Sequence, residues 1–254
     1  MCRAPWSTAT APPSLEEADT TASSASRAGG EMASTFWERL PERARGALRE
    51  AGSYSLVRPG TFLMREHTRS SQVCVLFAGA VKIWVDRAGE VVILDVLGPG
   101  DVLGELEAAD GGVRYANAEA LTAVEALGMP ADRFRAVLDS CAGSVWTVAE
   151  VLADRLRAAD DLQTGHFPDD PARRLAARLL RLADRLGTDL PGGGVVIQVP
   201  LCQQDLGRWS GMGRRKVAQL LASEPFRSVA VTRNVITVRS PADLRRLLDE
   251  TDPA

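Results

Sequence analysis

The apolar positions of this chain change their spacing partway along. Between Ser53 and Pro130 they fall in short runs divided by turn signals: Tyr54–Val57 before Pro59-Gly60, Val73–Phe77 before Gly79, and Val81–Val85 before Asp86-Arg87-Ala88-Gly89. Val91–Leu97 then runs into Gly98-Pro99-Gly100-Asp101, and Tyr115–Leu121 and Val124–Gly128 come after it. Runs of about four to eight residues bounded by Gly, Pro and Asp predict strands, and their regular spacing predicts a jelly-roll or sandwich. Order is expected to start with Phe36-Trp37, followed by a short helix through Leu40 and Leu48 that stops near Gly52, and another helix from Ala131 to Leu138 succeeds the strands, with Asp132 in its first turn.

From Ser144 the period is helical. Val145, Ala149, Leu152, Leu156, Ala159 and Gln163 recur at alternating steps of four and three, the seam of a coiled coil, on one helix from Ser144 to Gln163. Val148 and Val151 make a second strip on an adjacent face. Two strips suit two partners, the helix's own domain and a second copy of the helix; a single amphipathic helix packed at home needs only one. His166–Pro171 predicts a hinge, because Pro168 and Pro171 restrict the residues before them and an Asp can cap the next helix. Pro171–Leu186 reads as that helix, with Leu175, Leu179, Leu182 and Leu186 on one face, and Gly192-Gly193-Gly194 breaks the chain before a strand, Val195–Val199.

Two more helices are predicted, Leu201–Trp209 and Arg214–Leu221, with Gly211 in the turn between them. If Val217, Leu220 and Leu221 pack inward, Arg214, Arg215, Lys216, Ala218 and Gln219 face outward near the second helix's start, where a major groove would be read. Val229–Thr232 and Val235–Val238, joined at Arg233-Asn234, predict a hairpin wing. Charge sharpens this reading. The 254-residue chain has a net charge of −3, yet Leu201–Arg239 holds seven basic residues against Asp205 and Glu224, a local +5 that leaves −8 elsewhere. A basic segment on an acidic body points to nucleic acid, although a solvated basic face has the same signature.

The remaining composition is that of a soluble globular protein of one or two domains, at 45% hydrophobic and 25% charged residues. Residues 1–34, rich in Ala, Ser, Thr, Pro and Gly without apolar periodicity, are expected to be a disordered tail. No apolar run approaches the ~20 residues that cross a bilayer. No secretion signal is evident, so a cytoplasmic protein with no membrane partner is expected. Cys2, Cys74, Cys141 and Cys202 are dispersed with no CxxC pair, which reads as reduced thiols rather than a disulfide frame or zinc site. No nucleophile–base pair or metal constellation is visible, so neither an enzyme nor a metal site is expected.

One stretch, from Asp95 to Ala120, suggests ligand chemistry. Gly104-Glu105-Leu106 is followed by small residues, Asp110-Gly111-Gly112 and a lone Arg114. Glycine lets a backbone approach a ligand, N–H groups at a helix start face an oxyanion, and an arginine fork holds phosphate. A carboxylate beside that anion is tolerable where it accepts from a hydroxyl, so the set fits a sugar phosphate better than a bare anion. Taken singly, the same residues would suit a hairpin loop with a surface Glu–Arg pair.

As a string they resemble the phosphate-binding cassette of cyclic-nucleotide-binding domains: Gly-Glu-Leu, then about ten residues on, Arg-Ser/Thr-Ala. Gly104, Glu105, Leu106, Arg114 and Ala116 match, while Tyr115 stands where the family has a small hydroxyl residue. The order of parts, over Phe36–Leu248, is similar to the Crp/Fnr family of bacterial transcription regulators. The resemblance implies an α+β chain: a jelly-roll-like β-roll over 35–143, a dimerisation helix and hinge over 144–166, and a winged helix-turn-helix over 167–250.

It also implies partners and roles. They are a homodimer through the Val145–Gln163 seam, double-stranded DNA read by Gln203, Arg214, Arg215, Lys216 and Gln219, RNA polymerase, and cyclic AMP or another nucleotide as effector. In the pocket Glu105 would accept the ribose 2′-hydroxyl, Arg114 would pair the cyclic phosphate and Gly104 would allow close approach. Iron–sulfur and haem members of the family need a cysteine cluster or axial ligands, which Cys2 alone and the two histidines, His67 and His166, do not supply.

Several departures bear on specificity. Gly213 replaces the usual capping Ser, Arg215-Lys216 replace Glu-Thr, and Ala158-Ala159 lie where the family's adenine-reading Thr-Ser pair belongs. Alanines cannot hydrogen-bond a purine edge, so weak base discrimination or another effector in the same pocket is expected. The alternative function is a nucleotide-sensing or protein-interaction module that does not bind DNA.

Overall fold

The computed structural model describes residues 34–163 and 170–249, so most of the expected tail and hinge lies outside the described residues. The first helical stretch is two helices, not one: α1, Phe36–Arg39, and α2, Glu42–Ala51. Thr35 caps α1 in a capping box with Glu38, and Pro41 ends it by forcing Leu40 to an extended backbone (φ −68°, ψ 140°).

Eight strands come next: β1 (Ser53–Val57), β2 (Phe62–Met64), β3 (Gln72–Ala78), β4 (Val81–Arg87), β5 (Glu90–Leu97), β6 (Val102–Leu103), β7 (Asn117–Ala120) and β8 (Val124–Pro130). They form two four-stranded antiparallel sheets, ordered β1-β8-β3-β6 and β2-β7-β4-β5. Cys74, Leu76, Val81, Leu97, Ala120, Val124 and Ala126 fill the space between the sheets. β2 and β6 are too short to carry a periodic signal in the sequence. The expected strand from Tyr115 starts two residues late, because the Tyr115 N–H donates to a side chain, Glu107, and the ladder with Trp84 begins at Asn117. The single helix inside the roll is α3, Glu105–Asp110.

α4 (Ala131–Ser140) and α5 (Ser144–Gln163) close the roll. Phe36, Leu48, Phe134 and Leu138 form a second core on the β1-β8-β3-β6 sheet, and Val151, with Val148 beside it, joins that core from α5. The strip containing Val148 and Val151 therefore packs at home.

The C-terminal region begins with α6 (Pro171–Leu186), capped by Asp170, whose side chain accepts from the Ala172 N–H at 2.7 Å. Then come β9 (Gly187–Asp189), β10 (Val195–Ile197), α7 (Gln203–Ser210), α8 (Arg214–Leu221), β11 (Val229–Val231), β12 (Ile236–Val238) and α9 (Pro241–Asp249). The strands form one sheet in the order β11-β12-β10-β9. α7 starts two residues later than the apolar pattern predicts, because Cys202 is its N-cap and donates its N–H to Asp205 at 3.0 Å. Leu175, Leu179, Leu182, Val217, Phe226, Ile236 and Leu244 share one core, and Ile93 and Val96 of β5 belong to it.

Candidate effector pocket and nucleic-acid interface

The cassette begins where a strand must turn into a helix within one residue. Gly104 does this at φ +83°, and a Cβ there would lie 2.5 Å from both an Arg114 Nη1 and the Gln72 carbonyl oxygen. Only glycine meets both demands. α3 then presents Glu105 and Glu107, and the loop after Gly111 returns Arg114 beneath it. Arg114 is 1% exposed, one of the largest fully buried side chains.

Glu107, Ser70 and Gln72 accept from it. Nη1 donates to Glu107 Oε2 at 2.6 Å, and Nη2 donates to Ser70 Oγ at 3.2 Å and to the Gln72 carbonyl. Glu107 Oε1 accepts the backbone N–H of Tyr115 at 3.0 Å. Glu105, 3% exposed, is ion-paired with Arg155 of α5, whose guanidinium also bonds the Val102 carbonyl. Burial pushes the Glu105 carboxyl above the ordinary range, and Arg155 only partly offsets it. Burial also pushes the neighbouring Cys74 thiol up to about 12, an inert core thiol.

The structure thus brings Gly104, Glu105 and Arg114 together, as the spacing predicts. Leu106 and Tyr115 instead point outward, 44% and 57% exposed, into a cavity of about 610 Å³. Ala116 is partly buried just before β7. The cavity runs between β5 and the α6–α7 pair and is edged by Arg155, Arg178, Arg181 and Arg208, a size and mix of apolar and polar lining suited to a small ligand. Arg178, 5% exposed, stacks over Trp209 at 4.8 Å, and burial pulls its pKa down to about 10. Arg155 and Glu107 escaped the sequence reading. Glu107 had a local signal, an acid seven residues before Arg114, whereas Arg155 is brought fifty residues to Glu105 by the fold alone.

α5 places its expected seam unevenly. Val145 and Leu156 are 52% and 62% exposed, Ala149 is exposed and Leu152 is half-buried, while the side chains of Ala158, Ala159 and Gln163 lie outside the described residues. Trp146, 73% exposed, extends this apolar face and is not part of the seam.

In the C-terminal region α7 and α8 cross at a turn that needs two glycines. Gly211 ends α7 at φ +66°, and a Cβ on Gly207 would lie 2.5 Å from the Met212 carbonyl oxygen. Val217 is fully buried beneath α8, so Arg214, Arg215, Lys216, Ala218 and Gln219 are exposed, and Gln203 is half-buried at the start of α7. Leu220 and Leu221 are only partly buried against the same core. The wing tip, Arg233-Asn234, is exposed between β11 and β12.

Polar contacts among the described residues join the two regions beside the core they share. Asp95 of β5 accepts both Nε and Nη2 of Arg181, at 3.0 and 2.5 Å, Asp101 pairs with Arg185 at 2.8 Å, and the Trp209 indole donates to the Leu94 carbonyl at 3.2 Å. Burial works against the Asp95 charge, but Arg181 with Arg185 outweighs it and holds the carboxyl below its ordinary range. For Asp101 burial wins and the carboxyl is raised.

A β-roll with a glycine–acid–arginine cassette, a long helix and a winged helix-turn-helix with an outward basic helix define a ligand-sensing transcription regulator. Residues 55–141 match the cyclic nucleotide-binding domain model. The chain is 31% identical over 165 residues to the CRP-like cAMP-activated global transcriptional regulator of Mycobacterium tuberculosis, covering 64% of this chain and 73% of that one. In fold it is similar to FixK2 from Bradyrhizobium japonicum, at TM-score 0.65 and 19% identity over 80% of this chain and 99% of that one. A CRP-family transcriptional regulator from Thermus thermophilus gives 0.61 and 23% over 78% and 97%. The chain belongs to the Crp/Fnr family and is a CRP-like transcriptional regulator with a cyclic nucleotide-binding domain.

Proposed function

We propose that this chain acts in the cytoplasm as a homodimeric, sequence-specific DNA-binding regulator that senses a nucleotide-class effector. Residues 35–143 form the sensor, 144–166 the dimer helix and hinge, and 167–250 the DNA-binding domain. The observation that carries this reading is the face of α8. Arg214, Arg215 and Lys216 project from its first turn with no ion pair among the described residues, on a helix whose other side is anchored by Val217. Cations left unpaired at a helix start facing solvent suit neutralisation by a DNA backbone, and Gln219 and Gln203 would meet base edges and phosphates. RNA polymerase is the further partner that a promoter-bound regulator of this family would meet.

The dimer is formed by a second copy of α5, laid along Val145, Ala149, Leu152, Leu156, Ala159 and Gln163. The exposed Val145 and Leu156, beside a strip already used at home, support it. The effector site is Gly104, Glu105, Leu106, Arg114, Tyr115 and Ala116. The mycobacterial relative is cAMP-activated by name, so cyclic AMP is the first ligand to try.

Binding to genomic fragments, followed by fluorescence anisotropy across a salt series, tests the proposal. Changing Arg214, Arg215 and Lys216 together to Ala is expected to flatten the slope of log K against log salt by roughly one unit per lost phosphate contact. Undiminished DNA binding by that variant sinks the proposal, and no DNA binding by the wild type favours the non-DNA sensing module.

A further inference from the structure

In the cassette the groups that should meet a phosphate already meet a carboxylate. Glu107 Oε2 accepts from Arg114 Nη1 at 2.6 Å and Glu107 Oε1 accepts the Tyr115 N–H at 3.0 Å. One arginine fork and the next backbone N–H are a natural pair of donors for an oxyanion. A single side chain from α3 takes both. The pair is not a surface ornament: the Arg114 side chain is 1% exposed and that of Glu107 10%. The second nitrogen of the fork is held by Ser70 and the Gln72 carbonyl, which leaves it no free direction toward a ligand.

The remaining polar groups of the cassette are arranged in the same way. Glu105, the acceptor for a sugar hydroxyl, is engaged by Arg155. Tyr115 offers a bulky exposed ring in place of a small hydroxyl beside the phosphate position. A phosphate cannot be added next to a carboxylate on the same donors, because two like charges a few ångströms apart in a buried site repel strongly. It must displace Glu107.

We propose that Glu107 is a resident counter-anion that occupies the phosphate donors of the cassette, so that a cyclic nucleotide binds only by expelling it. This rests on the reading of Gly104–Ala116 as the effector cassette and adds what sets its sensitivity. The charge of Arg114 and both terminal nitrogens of its fork are paired without nucleotide, only its Nε lacking a partner among the described residues, and the ligand must overcome a built-in competitor. Glu107 is therefore a specificity-determining residue, acting against the ligand rather than on it.

The experiment is a calorimetric titration of the full chain with cyclic AMP and cyclic GMP, comparing wild type with Glu107→Ala and Glu107→Gln. The glutamine keeps size and an acceptor for Arg114 while removing the charge, which guards against an alanine variant that folds poorly. Both variants are expected to bind at least one of the two nucleotides roughly tenfold more tightly than wild type, the weight of one charge-assisted hydrogen bond. The gain should vanish when Arg114→Ala is added to Glu107→Gln. Melting provides an independent readout: the nucleotide should raise the melting temperature of Glu107→Gln more than that of wild type. Equal affinity in wild type and both variants overturns the role of Glu107 and leaves the cassette reading standing. No binding by any of the three overturns both. A gain that survives loss of Arg114 places the ligand elsewhere and overturns the proposal.

Discussion

The two regions proposed to meet anions use the same side chain in opposite ways. In the cassette, Arg114 is buried, and three of its donor contacts are spent on Glu107, Ser70 and Gln72. On α8, Arg214 and Arg215 are exposed, with no ion pair among the described residues. The first arginine is part of the protein's own stability; the second pair, in the function proposed above, is held in reserve for a partner. A buried guanidinium must be paired before folding is complete, whereas an exposed one keeps its hydration until a phosphate replaces it. Glycines show the same contrast. Gly104 has a left-handed backbone and no room for a Cβ, while Gly213, the N-cap of α8, has φ −73° and open space around it.

The sharpest way to break the comparison is Arg114→Ala. It leaves the Glu107 carboxylate with only the Tyr115 N–H and takes the guanidinium donor from the Gln72 carbonyl, and the loss is expected to be about 3–5 kcal/mol by urea unfolding. A loss no larger than that of an exposed arginine would put Arg114 in the same class as Arg215. Next in size is Gly104→Ala, which must strain φ and push aside Arg114 or the β3 carbonyl. A cost of about 1–3 kcal/mol is expected in the same assay, with wild-type stability as the outcome that would refute the steric account. The smallest effect has the opposite sign. Gly213→Ser restores a side-chain cap to α8 and should stabilise the protein by roughly a few tenths of a kcal/mol, seen as a small rise in melting temperature. Destabilisation would mean that the open space at Gly213 is not there.

Much of the architecture was legible because it is local. Alternation and turn residues mark β3, β4, β5 and β8. The bounds of α5, α6 and α8 come from apolar period and Pro or Gly at their ends, and the Gly104–Arg114 spacing carries the cassette. β2, β6 and β9, at two or three residues, are shorter than any period and exist only because a neighbouring strand supplies their partners. α9 lies past the hairpin wing, inside the expected winged domain, where no separate helix is predicted. Pro41 split a helix that its apolar residues alone would have kept whole.

The residues by themselves therefore determined the longer elements, the family and the chemistry available at each end of the chain. Only the tertiary structure decided who neutralises whom. Asp95 with Arg181, Glu105 with Arg155 and Trp209 with Leu94 join residues 86, 50 and 115 positions apart. Hydrophobic period and turn chemistry act over a few residues and leave a trace in the chain. A buried charge takes whichever partner the packed fold brings within about 3 Å, and the cost of leaving it unpaired is felt only once water has been excluded.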